Sequence, residues 1–287
     1  LAVSLGLDPL QAVTLVTLNP AEYFRLRDRG AVAPGLAADL VVVQDVQDFR
    51  VDKVFKGGRL IVDEGRLLPE IEFPHRPPPP PAFHIQPLSR EAFSPEVAGE
   101  VAKVIGLIPH QLLTEKRLAP PPQKNGRLAA DPERDLLKLA VIERHRATGN
   151  LGLGLVQGFG LRRGALASSV AHDSHNLIVV GAEEADMLVA AEHVAQLQGG
   201  LAVAAGGKVV ADLPLPIAGL LSPDPLPEVA RAYGRLKEAY QALGGELDDP
   251  FMALSFLALP VIPQLKLTDL GLVDVDRFAL VPLFGED

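Results

Sequence analysis

The densest group of polar side chains in the sequence lies between residues 168 and 176. His172, Asp173 and His175 place two imidazoles and a carboxylate within one short stretch. Such groups can relay protons, bind a metal or recognise the hydrogen-bonding edge of a ligand. The alternative is a structural loop whose Asp and Ser side chains cap nearby backbone groups. The candidate site residues are His172, Asp173, His175, Asn176, Ser168 and Ser169.

Three other charged segments are weaker candidates, and the sequence favours structural roles for them. Residues 131–135 and 143–146 carry charges at a helix start and a strand end, which are usually solvated. Residues 266–269 follow an apolar run bracketed by prolines. They either line a pocket or belong to a loop that packs around the core. The 168–176 cluster alone offers too few ligands for zinc or manganese, so we expect no metal site in this chain.

The composition excludes several classes of function. The 287 residues include no cysteine, which excludes disulfides, thiolate metal sites and the cysteine-bound zinc of cytidine-type deaminases. This composition also agrees with a cytoplasmic protein. A formal net charge of -9 disfavours binding to nucleic acid. The longest apolar stretch, residues 251–263, is too short to cross a membrane, so we expect a buried segment there.

The elements that must position these residues fall into two groups on either side of a proline-rich stretch. Asp8 before Pro9 is a helix-start signal and predicts a helix that runs to about Leu18. Residues 26–73 predict strands, with a hairpin over 51–62 that turns at two glycines. The proline run at 77–81 predicts a stiff spacer over residues 74–87.

Residues 88–287 predict a second and larger domain. Its hairpins are frequent and its strands outnumber its helices, which favours the α+β class with a largely antiparallel sheet. Two helices, over residues 183–197 and 227–243, each end before a pair of glycines. Strands are predicted over residues 101–108, 111–117, 136–143, 152–157, 177–180, 201–205 and 208–213.

Short segments spread over the chain resemble known families. Residues 17–22, 30–35 and 37–42 are similar to the end of an amidohydrolase barrel and the small β-sandwich that follows it. Five later segments resemble the adenine deaminase family of that superfamily; they are residues 131–135, 158–161, 171–176, 214–219 and 254–260. The resemblance assigns residues 1–25 to the last helix of a TIM barrel, 26–73 to part of the sandwich, and 88–287 to the family's C-terminal α+β domain.

The resemblance also implies an enzyme that hydrolyses adenine to hypoxanthine and ammonia in adenine catabolism. A divalent metal, manganese or iron, would activate water in a barrel whose ligands lie before residue 1, so we expect this chain alone to be inactive. The absence of an initiator methionine likewise predicts the C-terminal portion of a longer protein. We expect that protein to be a homo-oligomer with adenine as its small-molecule partner.

On this interpretation, residues 168–176 form a lid over the barrel mouth that excludes water. We expect His172, His175 and Asn176 to hydrogen-bond the purine and Asp173 to orient a histidine, with Ser168 and Ser169 as weaker candidates. Two alternatives remain open. In the first, residues 88–287 form a non-catalytic domain for oligomerisation or regulation. In the second, the enzyme acts on another cyclic amidine or amide.

Overall fold

A computed structural model of the chain describes residues 1–68, 80 and 83–286. The chain divides into two compact units, Leu1–Arg76 and Pro77–Asp287. Most of the predicted spacer at 74–87 lies outside the described residues. Its last part is described, and there Phe83 is a buried side chain of the second unit.

The first unit contains two helices and one four-stranded antiparallel sheet. The Asp8 side chain accepts a hydrogen bond from the Gln11 N–H at 3.0 Å, so the first helix begins where the sequence predicts. It ends before Leu18, because Thr17 leaves the helical conformation and a second helix begins with Pro20 in its first turn. The elements are α1 Pro9–Val16, α2 Leu18–Tyr23, β1 Leu40–Val43, β2 Val51–Lys56, β3 Arg59–Asp63 and β4 Arg66–Leu67.

The predicted hairpin over 51–62 is confirmed by the pairing of β2 with β3, and the sheet order is β1-β2-β3-β4. Burial in this unit is slight, since Ala21 is the one buried residue among residues 1–68. Large apolar side chains of the helices, such as Leu10, Val16 and Tyr23, are exposed. The first unit therefore has very little hydrophobic core of its own.

The second unit has the predicted α+β composition. Its helices are α3 Glu184–Gln196, α4 Leu226–Ala242 and α5 Pro250–Phe256. Its early strands are β5 Ala102–Leu107, β6 Thr114–Ala119, β7 Gln123–Lys124, β8 Arg127–Leu128, β9 Leu137–Ile142 and β10 Leu151–Gln157. The later strands are β11 Ala165–Ser168, β12 Leu177–Gly181, β13 Gly200–Ala205, β14 Lys208–Pro214, β15 Leu265–Thr268, β16 Gly271–Asp274 and β17 Ala279–Val281.

One eight-stranded sheet organises this unit, in the order β14-β13-β11-β12-β9-β10-β5-β6. Every neighbouring pair is antiparallel except β5 with β10, which is parallel. Strands β15, β16 and β17 form a separate antiparallel sheet, and β7 and β8 form a short hairpin. The largely antiparallel sheet predicted from the sequence is confirmed.

Both faces of the large sheet are covered, which explains why its central strands are apolar at every position. In β9, Leu139 and Val141 join one core cluster with Leu236 of α4, while Ala140 joins a second cluster with Met187 of α3. Successive side chains of a strand point to opposite faces. Helix α3 therefore covers one face, and α4, α5 and β15 pack on the other.

One strand boundary predicted for this unit needs correction. Strand β6 begins at Thr114 rather than at residue 111, because the chain makes a loop in which His110 has a positive φ of 59°. The apolar residues 251–263 form most of α5 and the segment that follows it, and they are buried or half-buried except for Met252 and Val261. No helix within the described part of the chain is long and apolar enough to cross a membrane.

The end of the second unit returns to its beginning. The backbone N–H of Lys103 in β5 donates to the Leu283 carbonyl at 2.9 Å, and the Gly285 N–H donates to the Val101 carbonyl at 2.9 Å. The buried Lys103 amine donates to the carbonyls of Pro282 at 3.2 Å and Gly285 at 2.8 Å. Residues 282–285 thus hold β5 in place.

Candidate functional site

All candidate residues except Ser168, the last residue of β11, lie on the connection between β11 and β12, which we call the polar loop (residues 169–176). Its backbone is tied to α5, since the His172 N–H donates to the Ser255 carbonyl at 3.1 Å. The His172 ring packs on Phe256, with 4.7 Å between the ring centroids. The polar loop is therefore supported by the helix that follows α4, although the two segments are far apart in sequence.

His175 has the most distinctive environment in the polar loop. Its backbone takes a positive φ of 51°, and its N–H donates to the Ala171 carbonyl at 2.6 Å. Its ring centroid lies 5.9 Å from that of His172. The Nδ1 atom of His175 is buried and has no hydrogen-bond partner among the residues that the structure describes. A buried imidazole nitrogen without a partner is costly, so a polar group that reached it would be stabilising.

The charge state of His175 follows from the same surroundings. Burial, followed by repulsion from His172 and Arg144, lowers the pKa of His175, and the carboxylate of Asp173 opposes the shift. The imidazole is therefore neutral near pH 7, with one ring nitrogen as donor and the other as acceptor. A neutral ring of this kind can pair with the edge of an uncharged heterocycle.

Arg144, two residues after the end of β9, holds the backbone of the polar loop. Its side chain is buried, its Nε donates to the His175 carbonyl, and a terminal nitrogen donates to the Ala218 carbonyl at 3.0 Å. The guanidinium also lies 5.0 Å from the centre of the Phe83 ring. The prediction that residues 143–146 form a solvated charged segment is wrong for Arg144, because its donors are used inside the fold.

Asn176 closes the polar loop through a second network. Its Nδ2 donates to Asp269 Oδ1 at 3.1 Å, and Asn150 Nδ2 donates to the other oxygen of Asp269 at 3.1 Å. The Oδ1 of Asn176 accepts from the Arg144 N–H at 3.4 Å. Both ends of the Asn176 amide are thus occupied, so it positions the loop. Sequence analysis missed this use of Asp269, whose one signal was a carboxylate after an apolar run.

The other candidates are placed differently. The Ser169 hydroxyl is buried and donates to the Gly219 carbonyl at 2.6 Å, and the Ser168 hydroxyl bonds the backbone of Val170. Both hydroxyls therefore serve the local backbone. Asp173 is exposed, and in the described part of the chain no hydrogen bond joins it to either histidine. The structure brings together His172, His175, Asn176, Arg144 and Asp269.

Glu143 organises the turn beside the polar loop. Its carboxylate accepts hydrogen bonds from the backbone N–H groups of Arg146 at 2.8 Å and Thr148 at 2.9 Å, and from that of His145. His145 in turn bonds the Ser174 carbonyl through Nε2 at 2.7 Å. Burial alone would raise the pKa of Glu143, but the hydrogen bonds from Thr148, Arg146 and His145 outweigh it and lower the pKa to about 2.

We expect the charge of Glu143 to make folding sensitive to acid. Because its pKa is lowered in the folded state, its contribution is present above pH 4.5 and is lost as pH falls towards 2. The shift corresponds to about 3 kcal/mol of unfolding free energy. Urea unfolding of wild type and Glu143→Gln should differ by roughly this amount at pH 7 and converge near pH 2. The exposed Glu133→Gln serves as control, and an equal pH dependence in both variants would contradict the assignment.

The described residues do not fit the divalent metal that the resemblance implies. Within residues 1–68 and 83–286, no three or more His, Asp or Glu side chains are grouped so that they could hold a metal ion. His172 and His175 face each other, but the half-buried carboxylate of Asp269, which reaches the loop, is bonded to two asparagine amides. Among the described residues, the polar loop therefore offers no complete set of ligands for a metal ion.

Comparisons with known proteins identify the family to which the chain belongs. Residues 111–279 match the family model of the adenine deaminase C-terminal domain, and residues 1–61 match that of the amidohydrolase family. The chain is 52% identical over 281 residues to an adenine deaminase of Desulfatibacillum aliphaticivorans, covering 97% of this chain and 49% of that protein. It is 49% identical over 285 residues to an adenine deaminase of Methanothrix thermoacetophila, covering 99% of this chain and 50% of that protein.

The chain spans about half the length of the curated relatives it matches. A third relative, an adenine deaminase of Dehalococcoides mccartyi, is 45% identical over 283 residues, with 98% of this chain and 49% of that protein covered. The family model of the C-terminal domain covers more than half of the chain and includes the whole polar loop, α5 and β15. The chain therefore belongs to the adenine deaminase family.

Proposed function

We propose that the complete protein containing this chain hydrolyses adenine to hypoxanthine and ammonia, and that the polar loop binds the purine. Family membership supports the reaction, since the similar relatives carry the name adenine deaminase. The observation that carries the role of the loop is the buried His175 Nδ1 without a partner among the described residues. Adenine offers ring-nitrogen acceptors and an amino donor, which match the two nitrogens of a neutral imidazole.

The chain's own residues then bind and orient the substrate. His175 hydrogen-bonds the purine edge through Nδ1, and His172 lies beside it at a centroid distance of 5.9 Å. Arg144 and Asn176 fix the loop, so little conformational entropy is lost when the purine binds. A closed loop also excludes water from the reacting carbon, which strengthens the polar contacts in the site.

The divalent metal of the reaction belongs to residues outside this chain in our proposal, and its identity as manganese or iron stays a prediction. The described residues of this chain supply no site for it, so we assign them no step that uses it. The inactivity of the chain alone, the homo-oligomeric state and the cytoplasmic location also stay predictions. The domain boundaries at residues 25, 73 and 87 also stay predictions.

Replacing His175 with alanine tests the proposed loop. We expect kcat/KM for ammonia release from adenine by the complete protein to fall about 100-fold, because a positioned hydrogen bond to the substrate is lost. Thermal unfolding should change little, since the ring nitrogen has no partner to lose among the described residues. His193→Ala is the matched control, because His193 lies on α3 and bonds Asp212 at 2.7 Å.

The alternatives give different results in the same assay. If His175→Ala keeps the kcat and KM of wild type, the polar loop does not touch the substrate and the second unit is a domain for oligomerisation or regulation. If the complete wild-type protein releases ammonia from another cyclic amidine but not from adenine, the proposed substrate is wrong. The role of the loop would then be tested by measuring His175→Ala with that other substrate.

A further inference from the structure

A separate cavity lies beside α5, between the loop after β5 and residues 246–249. Its volume is about 560 Å³, a size typical of small-molecule sites. Leu107, Ile108, Leu247, Ala253 and Leu257 make much of its lining apolar. Phe256 also lines the cavity, and its ring packs on His172 of the polar loop. The cavity thus neighbours the polar loop but is lined by different elements.

Lys266 of β15 brings a positive charge to this apolar cavity. Its side chain is buried, and burial lowers its pKa to about 8, so the amine is still largely protonated at pH 7. Its Nζ donates to the Leu112 carbonyl at 3.0 Å. An ammonium group has three donors, and none of the ion pairs in the described part of the chain includes Lys266. A bound anion would satisfy the remaining donors.

The carboxylates around the cavity limit which anion can bind. Asp249 is already used, since it accepts from the Met252 N–H at 3.0 Å and from the Tyr233 hydroxyl. Glu246 and Asp248 also line the cavity and are exposed. These negative charges disfavour a multiply charged anion such as phosphate. An apolar wall with one buried cation favours a ligand with one negative charge and an apolar body.

We propose that this cavity binds a small organic monocarboxylate with an apolar or aromatic body, and that the carboxylate pairs with Lys266 Nζ. The site is distinct from the one proposed for adenine, which carries no charge. The ligand's apolar part would pack on Ala253 and Leu257 of the cavity wall. No bond is made or broken in this binding.

The test uses 19F NMR of 4-fluorobenzoate with the complete protein. We expect saturable binding that weakens at least about tenfold in Lys266→Met, because the cation is removed while a side chain of similar length still fills the space. Lys208→Met is the matched control, since Lys208 is the exposed first residue of β14, and this variant should bind as wild type does. Neutral 4-fluorobenzamide should bind at least about tenfold more weakly than the acid.

A second variant keeps the test independent of the lysine. Ala253→Leu fills the cavity without changing charge and should also weaken binding at least about tenfold. Wild-type affinity in either Lys266→Met or Ala253→Leu would overturn the proposal, as would the absence of binding at about 10 mM probe. Displacement of the probe by an equal concentration of inorganic phosphate would overturn the assignment to a monocarboxylate.

Discussion

Replacing Arg144 with alanine is expected to lower the free energy of unfolding by about 3–5 kcal/mol. The side chain is buried, and its loss leaves the carbonyls of His175 and Ala218 without their donor. The contact with Phe83 is lost as well, and a cavity remains beside Gly219, whose hypothetical Cβ would lie 2.9 Å from the guanidinium. Urea denaturation followed by circular dichroism measures the effect.

The control for this variant lies two residues further along the chain. Arg146 is exposed, and only its backbone N–H takes part in the Glu143 turn. Arg146→Ala removes the same charge and should change the unfolding free energy by no more than about 0.5 kcal/mol. Equal stability of the two alanine variants would mean that Arg144 does not anchor the polar loop.

Gly152→Ala is expected to be the most disruptive small substitution in the sheet. A Cβ at this position of β10 would lie 1.9 Å from the Thr268 carbonyl oxygen and 3.0 Å from the Gly271 nitrogen. Both atoms are backbone of the paired residues on either side of the turn between β15 and β16, so no side chain can move aside. We expect a loss of more than about 3 kcal/mol, because relief requires the two sheets to separate.

The same strand supplies the matched control. A Cβ at Gly154 would lie 3.5 Å and 3.6 Å from the Leu267 methyl carbons, which is ordinary contact. Gly154→Ala should therefore keep the stability of wild type to within about 1 kcal/mol. Differential scanning calorimetry would separate the variants, since 3 kcal/mol corresponds to a Tm shift of roughly 6–12 °C for a unit of this size. Similar melting temperatures would contradict the close approach of β10 to this turn.

Elements with local signals were predictable from the sequence. Helix α3 was predicted over residues 183–197 and is observed at Glu184–Gln196, because acidic residues open it and glycines follow it. The β13–β14 hairpin was predicted from Gly206 and Gly207, whose φ angles of 61° and 74° are those of a tight turn. In both cases the deciding physics acts over a few neighbouring residues.

Strand β11 was not predicted, for a reason that lies in its position. Ala165–Ser168 sits between β12 and β13, and all four residues are buried. A strand covered on both faces shows no alternation of polar and apolar residues, and these small side chains resemble a loop in composition. Strands β15, β16 and β17 are three or four residues long, so they too lacked a recognisable pattern.

In the candidate site, too, local sequence signals revealed some residues and only the fold revealed the others. The two histidines were found because they are close in sequence, but their supports were not, since Arg144 reaches over 31 positions to His175. Asp269 reaches over 93 positions to Asn176. Such pairings depend on how strands are ordered in the sheet, and residue types do not specify that order locally. Lys266 was noted as a possible pocket wall, but its burial became evident only from the fold.

The return of residues 282–285 to β5 has a consequence for how the protein is made. One partner of the Lys103 amine, the Gly285 carbonyl, lies 182 positions later in the chain. A ribosome adds about 5–20 residues each second, so roughly 10–40 s of synthesis separate β5 from this partner. Until then β5 can pair with β6, but its contacts with residues 282–285 cannot form. The second unit therefore cannot complete its fold before residue 285 has left the ribosome.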